Sequence, residues 1–111
     1  MKTLTGPELR ALAERGTAPA PLLLDVREPW EFALARIRHD GLETRHIPMN
    51  EIPARLATLD PSQPVVCVCH HGVRSASVVA FLERQGFDSA WNLTGGIDAW
   101  SAEVDAGVPR Y

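Results

Sequence analysis

The chain has few cysteines, no excess of positive charge and no long apolar run, and each shortage excludes a class of protein. Cys67 and Cys69 lie two residues apart on one apolar segment, so they make no disulfide framework. A reducing compartment is the natural setting for such a pair. The formal net charge of −3 offers no global attraction to nucleic acid or to an anionic membrane. No stretch approaches the roughly 18–20 apolar residues that span a bilayer. Met1-Lys2-Thr3-Leu4 runs straight into a helix signal without an apolar leader core. We therefore expect a cytoplasmic protein with no nucleic-acid or membrane partner. Repeats, low-complexity tracts and linkers are missing too, and 111 residues suffice to bury well over half of the unfolded surface. One domain over residues 1–111 is expected, with its core from about 5 to 105.

Apolar patterning then divides the chain into alternating elements. Thr5-Gly6-Pro7-Glu8 fits a capping box, followed by a stripe of Leu9, Leu12 and Ala13 and a stop at Gly16. Leu22 to Val26 reads as a short strand buried on both faces. Pro29 suits a helix first turn, with Trp30, Ala33, Leu34 and Ile37 at helical spacing. His39 to Thr44 reads as a loop and Arg45 to Ile47 as a brief strand. Asn50 can cap a helix carrying Ile52, Leu56 and Leu59, ended by Asp60-Pro61. A strand over Val65–Val68 precedes a helix from Ser75 to about Gln85, with Gly86 just past its end. Ala90–Leu93 is a further strand, and Gly95-Gly96 turns into a last helix using Ile97, Trp100 and Val104. Strands alternating with helices over short connections indicate an α/β fold around a mainly parallel sheet.

The chemistry concentrates in Cys69-His70-His71-Gly72-Val73-Arg74-Ser75. A thiol at a strand's carboxyl end, facing a helix N-terminus, meets unpaired backbone N–H groups and the positive end of the helix dipole. Both favour the thiolate, which is the nucleophilic form. Ligands of parallel α/β sheets sit outside the carboxyl ends of the strands, where Cys69 is expected. Cys67 shares the parity of Cys69 but precedes it inside the strand, as a small core residue would. Cys67, Cys69, His70 and His71 are metal-ligand types, but neighbours in a tight loop rarely converge tetrahedrally, so no metal is expected.

These segments together resemble a single-domain rhodanese, a sulfurtransferase. Leu24-Asp25-Val26-Arg27-Glu28 with Trp30-Glu31 is similar to the family's first motif, and His46-Ile47-Pro48 to its central one. Cys69 to Ser75 resembles the active-site loop, and Asn92-Leu93-Thr94-Gly95-Gly96-Ile97-Asp98-Ala99-Trp100 the closing motif. The family often has Gly before His-Ile-Pro and Gly-Ala after it, where this chain has Arg45, Met49 and Asn50. The resemblance implies a five-stranded, mainly parallel sheet with helices on both faces. It also implies transfer of a sulfane sulfur through a Cys69 persulfide, from a small donor such as thiosulfate or a low-molecular-weight persulfide, without a cofactor. The acceptor would be a small thiophile, or a protein if the chain is a persulfide relay.

Loop length separates this chain from cysteine phosphatases, whose loop closes as Cys-x-x-x-x-x-Arg. Here Arg74 comes one residue sooner, and the smaller loop suits one sulfur atom rather than a phosphoryl group. The N–H groups of His70, His71, Gly72, Val73 and Arg74 are expected to form an anion-binding nest, with Gly72 free to turn and Ser75 capping the helix. His70 and His71 could touch substrate or stand in solvent. Arg74 could attract an anionic donor or pair with a carboxylate such as Glu28, and the second role is favoured. Asp25 and Arg27 are expected to support the loop and His46 to fix a neighbouring one. Gly95-Gly96 reads as a turn that lets two backbones approach. Trp30, Trp91 and Trp100 are expected in the core.

Overall fold

Three short apolar runs, the polar segment Glu43–His46 and the segment before the first helix align as five parallel strands. In the computed structural model, which describes all residues Met1–Tyr111, these are β1 (Lys2–Leu4), β2 (Leu22–Asp25), β3 (Glu43–His46), β4 (Val65–Val68) and β5 (Ala90–Leu93). The sheet order is β1-β5-β4-β2-β3, and every neighbouring pair is parallel. Leu24 is in register with Cys67, and Asp25 with both Val68 and His46. The residues that follow β2 and β4 therefore emerge side by side. The chain leaves β2 toward β3 and leaves β4 in the opposite direction toward β5. That reversal opens a crevice between the carboxyl ends of β2 and β4.

Four helices connect the strands: α1 (Gly6–Arg15), α2 (Pro29–Leu34), α3 (Val73–Arg84) and α4 (Gly96–Glu103). Alternation within the buried strands divides the core between the two faces of the sheet. Leu22, Leu24, Val26, Val65, Cys67 and Cys69 face Val78, Val79 and Leu82 of α3, together with Ile47, Ile52 and Leu59. Leu4, Leu23, Val66, Val68 and Leu93 face Leu9 of α1 and Ile97 and Trp100 of α4. The capping box of α1 forms as expected: Thr5 N–H donates to Glu8, and Glu8 N–H to the Thr5 hydroxyl.

Four expectations need correction. Lys2–Leu4, expected to run directly into a helix, is instead an edge strand, because Lys2, Thr3 and Leu4 lie in register with Trp91, Asn92 and Leu93. The helix expected after Asn50 is two 3-10 turns, Met49–Glu51 and Leu56–Thr58; Pro53 removes an N–H donor between them. β3 starts two residues early, in the expected loop, through pairing with β2. Trp91 is half-buried, and Trp30, expected in the core, is 63% exposed because only Glu31 of α2 is buried.

Candidate active site

Cys69 follows the last residue of β4 and is 1% exposed, at the floor of the loop that leads into α3. The Gly72 N–H donates to its sulfur at 3.1 Å and the Ser75 N–H at 3.4 Å, and the Ser75 hydroxyl lies 3.3 Å away. Gly72 achieves this with φ 105°, a left-handed conformation that strains any residue with a Cβ. The helix begins at Val73 with Gly72 as its cap, so Ser75 is buried inside the first turn rather than capping it. The N–H groups of Val73 and Arg74, also in that turn, have no hydrogen-bond partner in the chain.

Proton counting fixes the neighbours of the sulfur. The Asn92 side chain donates through Nδ2 to the Gly72 carbonyl at 3.0 Å, which turns Oδ1 toward Ser75. A flipped amide would set Oδ1 against that carbonyl oxygen, acceptor against acceptor. The Ser75 hydroxyl thus gives its single proton to Asn92 and offers a lone pair to the Cys69 S–H. When the sulfur ionises, that hydroxyl proton is free to turn from Asn92 to the sulfur.

The closing Gly-Gly turn supports the loop from behind. The Ile97 N–H donates to the Cys69 carbonyl at 2.9 Å and the Asp98 N–H to the His70 carbonyl at 3.1 Å. A Cβ on Gly96 would stand 2.5 Å from both carbonyl oxygens, so this approach requires glycine.

A chain of charges joins the first motif to the loop. Asp25 holds Arg27 in a fully buried pair at 2.6 Å, and Arg27 also donates to the Glu31 and Ala35 carbonyls. Arg74 donates to both carboxylate oxygens of Glu31, at 2.6 and 2.9 Å. The partner of Arg74 is therefore Glu31 and not Glu28. The Tyr111 hydroxyl accepts from Arg27 at 2.9 Å and donates to Glu31 at 2.7 Å. His46 fixes the turn after β2 through Nε2, 2.7 Å from the Arg27 carbonyl oxygen. His70 is half-buried beneath the Tyr111 ring, centroids 3.9 Å apart, and His71 is exposed and stacks on His70.

Sequence reasoning missed three participants. Glu31 lies three residues after Glu28 on the first turn of α2, which was the available signal. Asn92 stood inside the closing motif without an assigned role. Tyr111 carried no signal, because its partners are 80 and 84 residues away.

Burial pushes the Cys69 thiol up, but hydrogen bonds from the Ser75 hydroxyl and from the N–H groups of Ser75, Gly72 and His71 outweigh it and hold the thiol below its ordinary value. Burial pushes Cys67 up to about 12, helped by the neighbouring Cys69 charge. Environment thus shifts the acidities of the two sulfurs on this sheet face in opposite directions. Arg74, then Tyr111, hold Glu31 down at about 2 against its own burial. Burial and the adjacent His71 lower His70.

Two surface grooves lie away from Cys69. One of about 630 Å³ runs beside Phe32, Arg36 and His39, and one of about 450 Å³ lies between α1 and the amino ends of the sheet. Neither is lined by Cys69.

The fold and site together define a parallel α/β domain with a cysteine, ringed by N–H donors, at its topological switch point. The chain belongs to the rhodanese-like domain family, whose model matches residues 5–103. It is 33% identical over 99 residues to Thiosulfate sulfurtransferase GlpE of Pseudomonas aeruginosa, covering 89% of this chain and 83% of that protein. It is 37% identical over 93 residues, 80% of its length, to the chloroplastic Rhodanese-like/PpiC domain-containing protein 12 of Arabidopsis thaliana; the match spans 30% of that longer relative. The rhodanese-like domain protein of Staphylococcus aureus superposes with a TM-score of 0.80 at 34% identity, covering 100% of this chain and 99% of the other. No helix is long and apolar enough to cross a membrane.

Proposed function

We propose that the protein transfers sulfane sulfur by ping-pong covalent catalysis, with Cys69 as the nucleophile. The Cys69 thiolate attacks the outer sulfur of a donor. With thiosulfate, the new Cys69 S–S bond forms as the donor S–S bond breaks, and sulfite leaves with the bonding pair. An acceptor thiolate then attacks the outer persulfide sulfur, takes it, and returns the electron pair to Cys69. Gly72 and Ser75 hold the inner sulfur. The unpartnered N–H groups of Val73 and Arg74, with that of His70, are left for the charged outer atom, while the His71 N–H already faces the inner sulfur.

The observation that carries this reading is the amide ring on one buried, acidified sulfur. It fits a single transferred atom better than a phosphoryl group. Steady-state transfer from thiosulfate to a thiol acceptor tests it. Parallel double-reciprocal lines and complete loss of turnover in Cys69→Ser are expected; hydrolysis of aryl phosphates without sulfur transfer would refute it.

A second reading, a relay that delivers persulfide to a protein, is favoured by the rim. Trp30, Met49 and Val73, three of the five exposed large hydrophobic side chains, follow the carboxyl ends of β2, β3 and β4, and Val73 is 78% exposed. The only arginine in the loop is already engaged by Glu31. A rim of this kind suits an apolar protein surface carrying a thiol more than a free small anion. Faster sulfur transfer to a protein thiol than to glutathione would support the relay.

A further inference from the structure

The residues after the family-matched segment fold back onto the site. Beyond Glu103, Val108 is buried and its carbonyl accepts from the Ser101 hydroxyl. Arg110 pairs with Asp98 of α4 at 3.0 Å, and Tyr111 then reaches the loop. Its ring lies flat on His70, with planes 5° apart, and meets Trp30 edge-on at 6.0 Å. Its hydroxyl bridges the two ion pairs by accepting from Arg27 and donating to Glu31.

We propose that Tyr111 is a positioning residue for Cys69, its hydroxyl setting the charge that Glu31 presents to Arg74 and its ring clamping His70 against the loop. The proposal rests on Cys69 being the nucleophile. By donating to Glu31, the hydroxyl offsets part of that carboxylate's negative charge. The positive field of Arg74 at the sulfur is then less cancelled, and the thiolate is favoured. The charged groups facing this junction are Asp25 at the end of β2 and Arg27 just after it, Glu31 on α2, Arg74 on α3, His70 and His71 in the loop, and Asp98 on α4 with Arg110. None of them duplicates the bridge. Every other side chain in the chain of charges lies within the family-matched residues 5–103, and Tyr111 does not.

The test uses the full chain and needs no sulfur donor: the rate of Cys69 alkylation by iodoacetamide is followed against pH, with melting temperature measured in parallel. Tyr111→Phe keeps the ring and loses the hydroxyl. Its alkylation midpoint is expected to move up, with about threefold less thiolate at neutral pH, the partial effect of one lost hydrogen bond passed through Glu31. The shift should disappear in a Glu31→Gln background. Tyr111→Leu should show the same shift and, at a pH where Cys69 is fully ionised, react about threefold faster, because His70 is no longer clamped. Unchanged midpoints in both variants, whatever their melting temperatures, would reduce the tail to a structural anchor and overturn the proposal. Persistence of the Tyr111→Phe shift without Glu31 would overturn the route through that carboxylate. A protein that alkylates as expected yet accepts no sulfur would refute the sulfur-transfer reading alone.

Discussion

Glu31 accepts from both terminal nitrogens of the Arg74 guanidinium, at 2.6 and 2.9 Å, so the only arginine of the cysteine loop is paired with a carboxylate on another helix. Glu31 is almost wholly buried, so removing Arg74 leaves its carboxylate with only the Tyr111 hydroxyl, the Glu28 N–H and whatever water enters the space vacated. The pair braces the loop, and a loop arginine so held has little left to offer an incoming anion.

Arg74→Ala should therefore lower stability by about 2 kcal/mol, less than for a wholly buried pair because the Arg74 side chain is 36% exposed. It should also slow sulfur transfer from every donor to a similar degree, charged or neutral. Denaturant melts and a donor panel measure both effects. A rise in KM confined to thiosulfate, with an unchanged midpoint of unfolding, would assign Arg74 to donor binding instead.

The same pair gives stability a defined pH dependence. Glu31 is depressed in the folded protein to about 2, below the usual carboxylate value near 4.5. Its contribution is complete above the unfolded value and is lost as pH falls through the folded one. Between pH 4.5 and 2 the wild type should lose roughly 2–3 kcal/mol that Glu31→Gln, lacking the charge, does not lose. Unfolding free energies at a series of pH values should converge for the two proteins toward the acid end. Parallel curves across that window would contradict the linkage.

Much of this arrangement was legible in the sequence because it depends on neighbours along the chain. The β4-loop-α3 unit, the Gly95-Gly96 turn and the burial of Cys67 all follow from apolar runs and glycine placement. Lys2–Leu4 was not legible as a strand, because three residues become one only by pairing with β5, nearly ninety positions later. Trp30 misled because helical spacing does not say whether a short helix lies on the core or at the rim. Arg74 was expected to pair with a carboxylate if it did not bind the donor, and helix geometry rather than sequence proximity chose Glu31 over Glu28. Asn92 shows the same limit: a strand asparagine gives no hint that it will hold Gly72 and Ser75 together.

Asn92→Asp tests that bridge. A carboxylate beside Ser75 keeps the hydroxyl proton, sets a negative charge near the sulfur and cannot donate to the Gly72 carbonyl while ionised. All three effects oppose the thiolate, so the Cys69 alkylation midpoint should rise, with about tenfold less thiolate at neutral pH. An unchanged midpoint would show that Asn92 does not act on Cys69.

The two cysteines should separate cleanly under alkylation. Cys69 should react with a midpoint below that of an ordinary thiol, because its N–H and hydroxyl donors outweigh burial. Cys67, pushed up to about 12, should stay unmodified in the folded protein and react only on unfolding. Peptide mapping after brief alkylation distinguishes the sites, and modification of Cys67 in folded protein would contradict the assignment.

The most direct measurement of the central claim is the intact mass of the protein after incubation with thiosulfate or a persulfide donor. The wild type and Cys67→Ser should each gain the mass of one sulfur atom and lose it again on addition of a thiol acceptor. Cys69→Ser should remain folded and gain nothing. Loading of Cys69→Ser, with loss of loading in Cys67→Ser, would move the chemistry to the wrong sulfur and contradict the account.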